Sequence, residues 1–378
     1  MLKNHKRRWL GAGIVLLFAA AVSSGCSLLA SSGESQENKA ITIGFSQVGA
    51  ESDWRTANSI SIKETFTEKK GYDLIFLDAQ QKQENQVRAI RSFIQQDVDY
   101  IVLAPVIETG WDTVLKEAKS VGIPVIIVDR MVDVTDESLY AAWVGTDFRL
   151  QGEKACEWLK AYANKQGMTG LNIVNIQGTL GATAQIERTS ALEAAADRYG
   201  WNILEQQPGE YTQARAREVM EGMLGKYGDI DVVYCENDNE AFGALEAIEA
   251  AGKTAGPDGD MIVISFDAVR DGLWDVINGK IALDVECNPM HGPKVEQIIM
   301  RMEEGKKPAK YTYVKEGLFS MDDSIESVKV GENEYKFIAL LFPFNAIFDT
   351  ISYHNLIFNQ KNLDFFHKPS PNFSFLLL

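Results

Sequence analysis

The chain has 378 residues, a formal net charge of −16, and 46% hydrophobic against 24% charged residues. That length suits two ordinary domains, and the apolar share is sufficient for a packed core. The acidic balance excludes a nucleic-acid partner, because binding a phosphate backbone needs a basic surface.

Residues 1–25 read as a targeting segment. The basic start MLKNHKRR leads into an apolar run over 9–22, and the small residues Ser23, Ser24 and Gly25 precede Cys26. The run is too short and too weakly flanked for a membrane span. This order resembles a bacterial lipoprotein signal, in which Cys26 is lipidated after cleavage and anchors the chain to a membrane. Ser23 departs from the Leu usual three residues before such a cysteine, and a plain secretory signal is the alternative. Either one implies export. The following SSGESQENK, 31–39, is polar and small, so 26–40 is assigned as a flexible tether.

Strand-like and helix-like stretches then alternate. Short apolar runs at 41–45, 74–77, 100–103, 125–128 and 141–144 read as strands, with helical spacing over 58–70, 83–96 and 111–120 between them. Gly122 and Pro124 mark a helix end and the next strand. The pattern restarts with strands expected at 171–176, 201–204, 232–234, 261–266 and 281–285, and helices near 184–199, 213–226 and 240–252. Strands rich in Val, Ile and Leu separated by amphipathic helices predict parallel sheets covered on both faces. Two such series predict two lobes of similar build with a ligand cleft between facing strand ends.

From residue 337 the composition changes: nine of the eighteen Phe fall in 42 residues that contain no Gly, Val or Glu. This 337–378 segment reads as an atypical, poorly ordered tail, frameshifted or foreign in origin; the alternative is a native strand and helix packed on the core. Cys156, Cys235 and Cys287 are odd in number and widely spaced. They imply neither a disulfide framework nor a zinc site, and buried thiols are expected.

Catalytic signatures are scarce. Only His291 lies in the body of the chain, and neither H-E-x-x-H nor G-x-S-x-G occurs. The Gly252-Lys253-Thr254 triplet lacks the first P-loop glycine, since Ala247 stands there, and no G-x-G-x-x-G follows the strands at 41–45 or 171–176. An enzyme, a metal site and a cofactor are therefore not expected. What recurs is polar groups at strand ends: Asp78, then Asp129 with Arg130, Asn237 with Asp238, and Asp267. Carboxylates accept from vicinal hydroxyls and Arg donates through a planar fork, which suits a sugar. Helix capping is the alternative for each residue taken singly.

The stretches GFSQVGAESDWR, DAQQKQENQVRAIRSFIQQDVD, APVIETGW, IPVIIVDR, IQGTLGATAQIER, END and SFD resemble the periplasmic sugar-binding proteins of the ribose and galactose type, over about 41–322. The resemblance implies two Rossmann-like lobes (periplasmic binding protein type I) joined by a three-crossover hinge around a cleft. The lobes would be 41–146 plus 288–313, and 147–287 plus 314–330. It implies a monomer that captures a monosaccharide, galactofuranose-like or another aldose, and delivers it to an ABC permease and its ATPase. A sugar-sensing input for chemotaxis or a two-component system is the alternative. It also implies a clamp of Trp54, Arg55, Asp129, Arg130, Arg188, Tyr211, Asn237 and Asp267. Gln47 and Asp78 would contribute from the first lobe, with Thr146, Glu286 and Asn288 at the crossovers. Trp111 is expected to pack on the first lobe, and Lys82, Glu84 and Arg88 to form a solvated helix face.

Overall fold

The computed structural model describes residues 40–340. Cys26, the targeting segment and most of the Phe-rich tail lie outside them. The chain opens with β1 (Ile41–Gln47), α1 (Asp53–Thr65), β2 (Tyr72–Asp78), α2 (Gln83–Gln95) and β3 (Tyr100–Leu103). It continues through α3 (Asp112–Val121), β4 (Val125–Val128) and β5 (Ala142–Gly145). A second series follows: α4 (Phe148–Gln166), β6 (Asn172–Gln177), α5 (Thr183–Tyr199), β7 (Asn202–Pro208), α6 (Gln213–Lys226) and β8 (Val232–Cys235). That series ends with α7 (Asp238–Ala250), β9 (Ile262–Asp267), α8 (Arg270–Ile277) and β10 (Leu283–Glu286). Last come α9 (Gly292–Glu303), β11 (Tyr311–Tyr313), β12 (Leu318–Phe319), β13 (Ser327–Val330) and β14 (Asn333–Lys336).

Twelve of these strands build two six-stranded sheets of the same order, β2-β1-β3-β4-β5-β11 and β7-β6-β8-β9-β10-β12, and β13 pairs with β14 in a hairpin of its own. Every pairing in the first is parallel, while β12 runs antiparallel to β10 in the second. The alternation of the strands decides which helix covers which face. Ile43, Phe45, Val102, Ile126 and Val128 pack with Ile62 of α1 and with Val295 and Ile299 of α9. Ile101, Leu103, Val125 and Ile127 meet Ile90 and Phe93 of α2 and Val114 and Leu115 of α3. In the second sheet, Ile173, Tyr234 and Phe266 face α4 and α5, and Val174, Val233 and Val263 face α6 and α7. Close approach is specific: a Cβ on Gly44 would lie 2.4 Å from the Phe93 ring.

The chain passes between the sheets three times, at residues 146–147, 287–291 and 314–317. This is the two-lobed α/β architecture that the resemblance implies. The strands β3 and β4 match their sequence-derived spans, whereas α1 starts five residues before its periodic stretch. The Ser52 Oγ accepts from the Arg55 N–H at 3.1 Å, an N-cap that brings Trp54 and Arg55 into the first helical turn. The helices α4, α8 and α9 fall outside the stretches picked out by periodicity. The start of the tail belongs to the fold: the Ile338 N–H donates to the Leu318 carbonyl at 2.9 Å, and Phe337 packs on the second lobe's core. Residues 341–378 lie outside the described range. The three cysteines within it are free and buried.

Candidate functional site

In a sheet of order 2-1-3-4-5, ligands sit outside the carboxyl ends of the strands near the point where the order reverses. Both sheets direct those ends into one cleft lined by residues of both lobes. Its walls carry six formally charged side chains, Glu51, Arg55, Asp129, Arg130, Arg188 and Asp267, together with Trp54, Phe148, Tyr211 and Asn237.

From the first lobe, Arg55 is the best-anchored group. Its Nη2 donates to Asp129 Oδ2 at 2.7 Å, its Nε to Glu51 Oε1 at 3.0 Å, and its Nη1 to Gln47 Oε1 at 3.4 Å. Although burial opposes its charge, Asp129 and Glu51 raise the Arg55 pKa further. Burial alone would raise the Asp129 carboxyl, yet Arg55 and Arg130 hold it below its usual range. Asp129 closes β4 at φ +63, a region that costs most residues energy and clusters at binding sites. Arg130 donates to the Val106 carbonyl at 2.7 Å and sits 3.8 Å from Glu51. Burial lowers its pKa, and neighbouring Arg55 adds to that.

The second lobe mirrors this build. Asp267 closes β9, the counterpart of β4, at φ +114. Burial pushes its carboxyl well above the usual range against the pull of Arg188, whose Nη2 lies 3.9 Å away. Arg188 spans Phe148 and Phe266, 5.3 and 4.6 Å from its guanidinium. It donates twice to Gln151 Oε1, at 3.1 and 2.7 Å, and once to the Glu236 carbonyl. The Asn237 Oδ1 caps α7 by accepting from the Glu240 N–H at 2.8 Å, and the residue also lines the cavity. Tyr211 stands at φ +61 with a buried hydroxyl lacking a partner. Gly178 makes room for it, since a Cβ there would fall 1.9 Å from the ring.

Trp54, Phe148 and Tyr211 form an apolar cluster with Cys287 around the cavity. The Trp54 indole N–H donates to the Cys287 carbonyl at 2.6 Å, so this ring is fixed to a crossover. The lobes also touch directly. Asp53 and Asn239 exchange two hydrogen bonds, at 3.0 and 3.2 Å, and the Met131 N–H donates to Thr183 Oγ1 at 2.9 Å. The arrangement is a closed one.

Eight of the expected residues therefore meet in the cavity: Trp54, Arg55, Asp129, Arg130, Arg188, Tyr211, Asn237 and Asp267. Five do not. Gln47 lies behind Arg55, its amide held by Asn58 and Ser59 at 3.0 and 3.1 Å. Asp78 is exposed at the end of an edge strand, where it accepts from the Gln80 N–H in a local turn. Thr146 and Asn288 lie in the crossovers and Glu286 at the end of β10, bonded to Glu316 or to Gly317. Trp111 is wholly buried, and Lys82, Glu84 and Arg88 are exposed. Sequence reasoning missed Glu51 and Phe148. Glu51 carried a signal, its i,i+4 spacing to Arg55; Phe148 needed the unexpected start of α4.

Residues 43–283 match the family model of the periplasmic binding protein domain. The chain is 38% identical over 325 residues to the galactofuranose-binding protein YtfQ of Escherichia coli (strain K12), covering 84% of this chain and 98% of that protein. A crystal structure from Mycobacterium smegmatis in complex with β-D-fucofuranose is 41% identical, with a TM-score of 0.71 over 74% of this chain and 91% of that one. The periplasmic binding protein component of the arabinose ABC transporter from Shewanella sp. ANA-3, bound to α- and β-L-arabinofuranose, is 42% identical. Its TM-score is 0.69 over 74% of this chain and 91% of its own. The chain belongs to the periplasmic binding protein family, within it to the sugar-binding proteins of the ribose and galactose type, which bind their ligands without transforming them.

Proposed function

We propose that the protein captures an uncharged monosaccharide in its furanose form outside the cytoplasm and presents it to an ABC importer. The observation that carries this reading is the cavity wall: three guanidinium groups set against three carboxylates, with aromatic rings beside them. Formal charges that cancel suit a neutral polyol. Charged groups supply strong hydrogen bonds to hydroxyls, while aromatic faces take the C–H surface. The similar proteins at 38–42% identity are named for, or hold, galactofuranose, fucofuranose and arabinofuranose. Residues 1–25 supply the export signal and Cys26 the lipid anchor in this reading. The eight cavity residues read the sugar, and the lobes close around it by bending at the crossovers.

Titration with L-arabinose, D-fucose and D-galactose labelled with 13C at the anomeric carbon tests it. Intrinsic fluorescence reports binding, and the carbon chemical shift of the bound sugar reports ring form. The expected result is saturable binding with a furanose signal, at an apparent affinity reduced by the small furanose fraction in solution. A bound pyranose, or no binding by any of the three, overturns the proposal.

A further inference from the structure

The three segments that join the lobes meet at one carboxylate. Glu316 lies in the last crossover, partly buried. Its Oε1 accepts from Thr146 Oγ1 at 2.5 Å and from the Asn288 N–H at 3.0 Å, one group from each of the other two crossovers. Its Oε2 accepts from Gln151 Nε2 at 3.0 Å. Gln151 is buried on α4 and its amide orientation is fully determined. The Nε2 also donates to the Glu286 carbonyl at 2.7 Å, and the Oε1 takes both bonds from Arg188. A continuous path thus runs from the crossovers through two side chains to a cavity arginine.

We propose that Glu316 is the positioning residue of the hinge: it gathers the three crossovers and, through Gln151, sets Arg188 in its ligand-reading pose. The proposal rests on reading the cavity as the sugar site. The chemistry is specific to a carboxylate, because donors approach both of its oxygens. An amide in its place must turn an NH2 toward either the Asn288 N–H or the Gln151 NH2. In the second orientation Gln151 is displaced or rotated and Arg188 loses its acceptor; in the first the Asn288 N–H faces a donor and that crossover loses its tie to the other two.

The test is a double-mutant cycle on the full chain with Glu316→Gln, Gln151→Ala and the pair, L-arabinose being the probe and near-ultraviolet circular dichroism the check of folding. Each single variant is expected to bind about tenfold more weakly, and the pair no more weakly than Gln151→Ala alone, the mark of one shared path. Unchanged affinity in Glu316→Gln, or fold-losses that multiply in the pair, overturns the proposal. Where Glu316→Gln does not fold, Thr146→Val takes its place in the cycle with the same two outcomes. Should the wild type not bind L-arabinose, D-fucose or D-galactose takes its place as probe; should it bind none of the three, it is the sugar reading that fails, and small-angle scattering of the ligand-free chains decides the hinge. A larger radius of gyration in Glu316→Gln supports it and an unchanged one overturns it.

Discussion

Replacing Asp129 by Asn puts the charge balance of the cavity to a direct test. The side chain is buried beside two guanidinium groups, with Arg55 Nη2 at 2.7 Å and Arg130 Nε at 3.9 Å. The amide keeps the shape and one acceptor but leaves three cations facing Glu51 and Asp267. Removing one partner of a buried ion pair costs about 3–5 kcal/mol, because the remaining charge stays desolvated. The retained acceptor places Asp129→Asn near the lower figure. At about 2–4 °C per kcal/mol for a body of this size, the melting temperature should fall by roughly 6 °C or more. Sugar binding should weaken by about 10- to 100-fold, the loss of one hydrogen bond to a charged acceptor. Differential scanning calorimetry and titration with L-arabinose read the two effects. A variant that melts and binds like the wild type would refute the idea that Asp129 holds these arginines in place.

Other outcomes follow from the same geometry. Burial raises the Glu236 carboxyl from 4.5 to about 7, and burial with help from Asp267 raises Asp284 to about 8. The folded chain therefore binds protons that the unfolded chain has released, and stability should drop as pH climbs through that range, by about 3 kcal/mol at most for Glu236. His291, pushed down to about 4 by burial, acts in the opposite sense only below its ordinary 6.5, so melting curves taken from there upward isolate the carboxylates and read the last part of the Glu236 loss, about 1 kcal/mol, together with that of Asp284. A flat or rising profile contradicts the assignment. Asn239→Ala removes a direct bridge between the lobes and should weaken L-arabinose binding by about threefold to tenfold; equal affinity would show that the bridge is incidental. Asp78→Ala should change neither binding nor, beyond about 0.5 kcal/mol, stability, and a loss of affinity would return Asp78 to the site.

The comparison of Asp78 with Asp129 shows where sequence reading stops. Both are acids at the carboxyl end of an apolar run, and the pattern around them is alike. They differ in sheet order: β2 is an edge strand, while β4 lies two strands inside from the other edge. Order depends on pairings between distant segments, so local periodicity carries no trace of it. The strands themselves were legible because β-branched runs bounded by Gly, Pro and Asp announce them. The start of α1 was legible too, since Ser52-Asp53 is a capping signal and a helix beginning at Ser52–Arg55 is expected from it, although the apolar spacing begins only at Asn58. Gln47, Thr146, Glu286 and Asn288 were placed near the site by resemblance and support it from behind. A family pattern marks the neighbourhood of a ligand, and hydrogen bonds decide which members face it. Arg130 shows the same limit: its salt-bridge geometry to Glu51 joins two loops 79 positions apart in sequence.

The order in which the chain contributes to its two sheets also sets how it must assemble. The first sheet is begun at β1 and completed only by β11, after every strand of the second sheet except β12 has been laid down. Until α9 arrives, the face of β1, β3 and β4 that Val295 and Ile299 cover is sealed by α1 alone. A nascent chain released short of residue 290 would therefore hold two unfinished halves with exposed apolar faces instead of one finished lobe. Contacts this distant in sequence slow folding. Neither lobe is therefore finished until β11 and β12 are in place.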